Sequence, residues 1–204
     1  NFATVDAQGV LIDRRAGRIP TEEGERLCKL IKKHVHLSGV EFFLVPEKEY
    51  RFVLVLRGEG LSGDVTDTDP QTVGKTALLA QASSPAGEHT AALIRDFVEQ
   101  ANQALKDQHP ANSFVLRGFA AMPKWPSFNT VWGVDAVAIA MYPMYRGVAK
   151  VVGMTVMPPA ESMEHEISML EEQWNNHDFF FVHIKKTDSY GEDGNFDAKV
   201  HIIE

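Results

Sequence analysis

The sequence predicts an α/β chain in which an α+β unit, residues 1–118, precedes part of a parallel α/β layer, residues 119–204. Three observations carry this. The first half alternates short apolar runs with amphipathic helical stretches. The second half holds two unbroken apolar runs, Ala136 to Ala140 and Phe179 to Ile184, of the kind that parallel strands covered on both faces require. Helical stripes lie between those runs, as a parallel crossover demands.

Taken in order, residues 1 to 15 place Phe2, Thr4, Val10 and Ile12 on either side of Ala7-Gln8-Gly9, which reads as a hairpin ending in a basic corner. After Pro20, Thr21 is placed to cap a helix with Glu22 and Glu23 in its first turn. Its stripe is Leu27, Leu30, Ile31, His34 and Val35, with His34 expected at the core edge. Val40 to Val45 and Phe52 to Leu56 read as paired strands around Glu47-Lys48-Glu49. Residues 58 to 88 hold most of the loop signals. A second helix is expected from Thr90 to Lys106, with Ile94, Phe97, Val98, Ala101, Ala104 and Leu105 on one stripe, stopped by His109-Pro110. In the second half a short helix is expected over Arg146 to Met154. Another runs over Ser162 to Trp174 with Met163, Ile167, Leu170 and Trp174 as its stripe, and a last one begins at Phe196.

Composition narrows the function classes. The 204 residues are 44% apolar, ample for a buried core, and 28 acidic against 20 basic side chains give a net charge of −8. That balance disfavours a nucleic-acid partner, since a phosphate backbone is held by excess positive charge. No run of about 18 apolar residues is present, so no membrane partner is expected. Asn1-Phe-Ala-Thr-Val reads straight into a strand, and the chain is expected to be cut from a longer one. One cysteine, Cys28, forms neither an internal disulfide nor a cysteine zinc site, which points to a reducing cytoplasm.

Several motifs fail their context tests. Gly58-Glu59-Gly60-Leu61-Ser62-Gly63 has dinucleotide spacing, but Asp64 to Pro70 follows where a helix should open. Gly74-Lys75-Thr76 lacks the glycine five residues earlier, where Asp69 stands. Asp64, Asp67 and Asp69 lack calcium-loop spacing and read as a solvated, side-chain-capped turn. His183 interrupts a buried strand, as a hydrogen-bonded core residue or a site residue.

The basic corner Asp13-Arg14-Arg15-Ala16-Gly17-Arg18 is more specific. Three guanidiniums around a glycine can converge on a carboxylate or phosphate, the plain alternative being a charged surface turn. Arg117-Gly118 and Arg146-Gly147 each put an arginine beside a glycine near a strand end, where ligands of α/β sheets collect. Past the Phe179 to Ile184 strand, Asp188 and Glu192 are expected on one loop, turned to the same side by Gly191. There they would hold a divalent cation or form an ordinary polar loop.

The segments Asn1 to Asp6, Arg14 to Ile19, Tyr50 to Gly58, Asp67-Thr68-Asp69-Pro70, Pro126-Ser127-Phe128 and Thr187-Asp188 to Gly194-Asn195-Phe196 together resemble the archaeal-type cofactor-independent phosphoglycerate mutases of the alkaline phosphatase superfamily. The resemblance implies that residues 1–118 are an inserted substrate-binding domain and 119–204 part of a phosphatase core. It implies exchange of 3-phosphoglycerate and 2-phosphoglycerate through a phosphoserine and two divalent metals, manganese or magnesium. The serine and the other ligands would lie outside this chain, which by itself would be inactive and would bind at most one ion weakly. Arg14, Arg15, Arg18 and Arg117 would then bind the phosphorylated glycerate, Arg146 would stabilise the phosphoryl group, and Asp188 and Glu192 would be metal ligands. The rest of its own core would be the chain's partner. Glu192 and Gln71 depart from the family pattern, which usually has histidine there. A phosphatase or phosphotransferase acting on another phosphoester and a non-catalytic ligand-binding relative are the alternative functions.

Overall fold

In the computed structural model, which describes residues 1–204, the chain separates into two units, Asn1–Met122 and Pro123–Glu204. The division falls just past position 118, where the sequence changes character.

In the first unit Phe2–Val5 (β1) pairs antiparallel with Leu11–Asp13 (β2), and Asp6 Oδ1 closes the turn by accepting the Gln8 and Val10 N–H groups. The last strand of the unit, Ser113–Phe114 (β5), lies on the other side of β1, giving the order β2-β1-β5. Glu41–Pro46 (β3) and Phe52–Arg57 (β4) form the expected antiparallel pair. Thr21–His34 (α1) and Glu88–Leu105 (α2) supply the helices. Period-2 alternation turns Phe42, Leu44, Phe52, Leu54 and Leu56 toward the core, where they meet Leu27 and Ile31 of α1 and Ile94 and Phe97 of α2. Five phenylalanines run through it as a chain of ring pairs: Phe2 to Phe52, Phe52 to Phe114, Phe114 to Phe97 and Phe97 to Phe42, with ring centroids 4.8–5.8 Å apart. Such tilted and edge-on pairs are favoured beyond their buried area.

Two details of α1 differ from the expectation. Thr21 is its first helical residue and not its cap, because Pro20 occupies the cap position and the Thr21 hydroxyl is taken by the Glu49 N–H at 3.1 Å. His34 is exposed and lies against the Leu30 carbonyl, since Val35 takes the core place at the helix end. Gly24 is required where it stands: a Cβ there would sit 2.5 Å from the Glu49 carbonyl oxygen. The buried Cys28 thiol is pushed up to about 11 by burial, which leaves it a packing group.

In the second unit Ala136–Ala140 (β6) is flanked by Thr155–Val156 (β7) and Phe179–His183 (β8), all parallel, in the order β7-β6-β8. Every residue of β6 is buried, as its unbroken apolar run requires, but β8 departs from the same expectation: it is the edge strand of this sheet and is only half-buried, with Phe179 exposed. Phe128–Trp132 (α3), capped by Ser127, leads into β6. Pro143–Val151 (α4) connects β6 to β7, and Met163–Gln173 (α5), capped by Ser162, connects β7 to β8. Tyr145 of α4 packs on Phe181 and His183, whereas Trp174 after α5 stacks on Phe180, so the two helices cover opposite faces. The helix expected over Arg146 to Met154 starts earlier because Pro143 opens it. The α5 stripe is rotated from the expected one: Glu166 and Met169 are buried, while Ile167 and Trp174 are exposed. Lys185–Glu192 (α6) and Phe196–Ile203 (α7), capped by Asn195, follow β8 directly.

Candidate functional site

The basic corner is built by Asp13. Its two carboxylate oxygens accept the Arg15 and Gly17 N–H groups at 2.8 and 2.6 Å, and hold a single 3-10 turn, Ala16–Arg18, in which all three residues have positive φ. Ala16 is buried beneath it, so the turn is anchored. The three arginines do not play one role. Arg14 is committed to the protein: Nε and Nη2 donate to the two oxygens of Asp69 at 3.0 and 2.6 Å, and Nη1 donates to the Gln71 carbonyl at 3.1 Å. Arg15 and Arg18 are exposed, and their guanidiniums meet no carboxylate.

Asp69 therefore departs from the solvated turn expected of Asp64, Asp67 and Asp69. Its side chain has no exposure. Burial pushes its carboxyl up, but the Arg14 hydrogen bonds, the Gln71 N–H and the charges of Arg14 and Arg117 outweigh that and hold it below the ordinary carboxylate range. Asp67 accepts the Gly118 N–H, and Thr68 exchanges bonds with Leu116, so residues 67–69 run beside the segment that carries Arg117. The structure thus gathers Arg14 and Arg117 at one buried carboxylate, with Arg15 and Arg18 on the adjoining turn. Asp64 accepts from the Ser84 hydroxyl. The Gly58 to Gly63 stretch opens no helix, in keeping with the failed motif.

In the second unit Arg146 lies one turn into α4, past the end of β6, and donates from Nη2 to the Met157 carbonyl at 3.1 Å. It borders a shallow depression of about 370 Å³ with Gly147, Lys150, Met154 and Val156. Tyr145 stacks on His183 at 3.6 Å between centroids, at the C-terminal ends of β6 and β8. His183 Nδ1 is buried without a partner, and burial lowers the ring's tendency to hold a proton.

Asp188 and Glu192 do not lie on a loop. Both are on α6, which starts as soon as β8 ends, and Gly191 is helical; the chain turns instead at Gly194, where φ is +68°. A helix of eight residues dominated by polar side chains shows no apolar stripe, which is why it reads as a loop. The spacing of i and i+4 still puts both carboxylates on one helix face. Asp188 is paired with Lys185, whose hydrogen bond holds its carboxyl below the ordinary range. As hard oxygen donors the two suit magnesium or manganese. No group of three or more His, Cys, Asp or Glu side chains that could hold a metal ion comes together in the chain, so these two carboxylates by themselves do not make a complete site.

The pairing of Asp69 with Arg14 and the burial of Glu166 on α5 carry no signal in the sequence. Arg14 and Asp69 are 55 positions apart, and Glu166 stands among exposed acids of the same helix.

An α+β unit followed by a parallel α/β layer defines the chain as an α/β protein. The family model for 2,3-bisphosphoglycerate-independent phosphoglycerate mutase matches residues 1–112, and the chain belongs to that family. Probable 2,3-bisphosphoglycerate-independent phosphoglycerate mutases of Thermus thermophilus and Thermotoga maritima are each 44% identical to it across the whole chain. The chain spans about half the length, 51%, of these relatives. A solved cofactor-independent phosphoglycerate mutase from Thermoplasma acidophilum matches with a TM-score of 0.69 and 27% identity, over 90% of this chain and 52% of that one. A Pyrococcus horikoshii protein of known structure shares the fold, with a TM-score of 0.70 at 21% identity, over 100% of this chain and 50% of that one.

Proposed function

We propose that the chain is part of a metal-dependent phosphoglycerate mutase that exchanges 3-phosphoglycerate and 2-phosphoglycerate through a phosphoserine, with the serine outside residues 1–204. Residues 1–118 act as an inserted substrate-binding domain and 119–204 as part of a phosphatase core. The observation that carries the reading is the fixed turn at Ala16–Arg18, which presents Arg15 and Arg18 unpaired while Arg14 is taken up by Asp69. A guanidinium with no protein carboxylate to neutralise it is available for a ligand's carboxylate or phosphate, and its fork suits two oxygens.

Each residue then has a role. Arg15, Arg18 and the exposed Arg117 bind the anionic groups of the glycerate, and Arg14 holds the corner in place through Asp69. Arg146 offers positive charge to the phosphoryl group as it leaves one hydroxyl and returns to the other. Asp188 and Glu192 contribute oxygens to one divalent cation. When bound, such an ion neutralises phosphoryl oxygens and favours the ionised serine. The substrate is small and phosphorylated, and neither nucleic acid nor membrane is a partner. No helix is long and apolar enough to cross a membrane. We place the enzyme in the cytoplasm, a reading supported by the single, reduced, buried cysteine.

The test is a coupled assay for 2-phosphoglycerate formation from 3-phosphoglycerate. The full-length protein with manganese or magnesium should turn over. Residues 1–204 alone should not exceed a metal-only blank, and turnover by them would show that the nucleophile has been misplaced. Hydrolysis of other phosphoesters without isomerisation would replace the mutase reading.

A further inference from the structure

The C-terminal edge of the parallel sheet holds a titratable group that the proposed chemistry does not use. Glu166 lies on the side of α5 that faces the sheet, beside Met169, and has no exposure. The neighbouring cluster is apolar: Ile139, Met141, Met157, Met169, Leu170 and Val182. An apolar side chain would satisfy that packing, and a carboxyl there is costly unless it is bonded. Glu166 Oε1 accepts the Met141 N–H at 3.1 Å, whereas Oε2 is buried with no partner. Burial pushes the carboxyl above its ordinary range, opposed by that one N–H.

The bonded donor sits where the sheet gives way to the helix. The ladder between β6 and β8 ends at Ala140 and His183, so the Met141 N–H is the first donor past it. From Met141 the chain passes Tyr142, opens α4 at Pro143 and reaches Arg146 one turn later. The start of α4 has no side-chain cap, and the Glu166 carboxyl supplies the side-chain hydrogen bond that holds the turn leading into it. It comes from the α5 face, opposite the face that α4 covers. One carboxyl therefore bonds α5 to the segment that leads from β6 into α4.

We propose that Glu166 is a positioning residue, whose carboxyl fixes the Met141–Pro143 turn and thereby the aim of Arg146. The proposal rests on the reading of Arg146 as the group that meets the phosphoryl oxygens. Arg146 is itself held to the Met157 carbonyl, just past β7, so a turn that slackens at Met141 swings α4 about that attachment.

The test uses the full-length enzyme with three substitutions. Glu166→Gln keeps an acceptor for the Met141 N–H. Glu166→Leu suits the apolar surroundings and removes the acceptor, and Glu166→Asp keeps the acid but is one methylene too short to reach. The glutamine variant should stay within about threefold of wild-type kcat, and the leucine and aspartate variants should lose about tenfold or more with KM nearly unchanged, as misaimed transition-state interactions do. Hydrogen exchange of residues 141–146 should quicken in the leucine and aspartate variants and remain slow in the glutamine variant. Wild-type kcat or wild-type exchange in Glu166→Leu overturns the proposal. Should that variant not fold, the aspartate and glutamine pair decides on the same readouts. A wild-type enzyme without mutase activity counts against the mutase reading, while the exchange measurement still judges Glu166.

Discussion

Replacing Arg14 with alanine should weaken the first unit more than a surface arginine has any reason to. The guanidinium gives Asp69 two hydrogen bonds, at 3.0 and 2.6 Å, and the Asp69 side chain has no exposure while that of Arg14 is 28% exposed. A hydrogen bond to a charged group contributes about 1.5–3 kcal/mol, and removing one partner of a fully buried pair costs about 3–5 kcal/mol. The exposed flank of Arg14 admits water into the gap, and Asp69 retains the Gln71 N–H at 2.8 Å, so the lower part of the range applies. We expect a loss of about 2–4 kcal/mol, or about 1–2 M in urea midpoint at a slope of about 2 kcal/mol per M. Far-UV circular dichroism follows the transition, and hydrogen exchange at the Leu27 and Ile31 amides assigns it to the first unit. The pH dependence has a definite sign. The Asp69 carboxyl is held below its ordinary 3.8, so its contribution is complete above that value and is lost as pH falls below it. Wild type and Arg14→Ala should therefore converge in acid. A loss under about 0.5 kcal/mol, the range of ordinary surface changes, or a gap that does not close at low pH, would refute the buried-pair argument.

The neighbouring arginines should behave in the opposite way. Arg15→Ala and Arg18→Ala should leave stability within about 0.5 kcal/mol, yet each should cost the full-length enzyme about 1.5–3 kcal/mol of substrate affinity per charge-assisted hydrogen bond removed. Unchanged affinity in both would remove the corner from substrate binding. Gly17→Ala should destabilise by about 1–2 kcal/mol in thermal unfolding, since φ is +64°, a left-handed conformation that a Cβ disfavours; an unmoved midpoint would contradict the turn geometry. In the full-length protein chelation should abolish turnover, and magnesium or manganese should restore it. Glu192→Ala should lower metal content, and Glu192→His should move preference toward zinc. Retained metal and activity in the alanine variant would make Glu192 a solvated helix residue.

Elements that carry their own apolar pattern were legible in the sequence: α1 and α2 by stripes, β3 and β4 by short apolar runs on either side of a polar turn, and β6 and β8 by longer ones, although β8 lies half-buried at the sheet edge. Elements that exist because of a partner were not. Ser113–Phe114 and Thr155–Val156 are two-residue strands, too short to carry a period, and are strands only because β1 and β6 lie beside them. The rotated stripe of α5 shows a different failure. Hydrophobicity favours Ile167 and Trp174 as core, and a buried Glu166 contradicts every ordinary burial preference. The arginine corner is visible in the sequence as a cluster, but dividing it into one structural and two free guanidiniums needs the position of Asp69.

The pairing of β1 with β5 has a consequence for how such a unit is carried by a larger protein. The Asn1 carbonyl accepts the Val115 N–H at 2.9 Å, and Phe2 stands opposite Phe114, so the chain enters and leaves as adjacent antiparallel strands. Paired strands lie about 5 Å apart. If residues 1–118 are an insertion, the host need open no gap wider than that of a plain hairpin to accept them, and its own closure entropy is hardly altered. The two strands then act as a stem. Traction or twist applied at the host end would reach the Phe2 and Phe114 rings directly, because both belong to the stem and to the core.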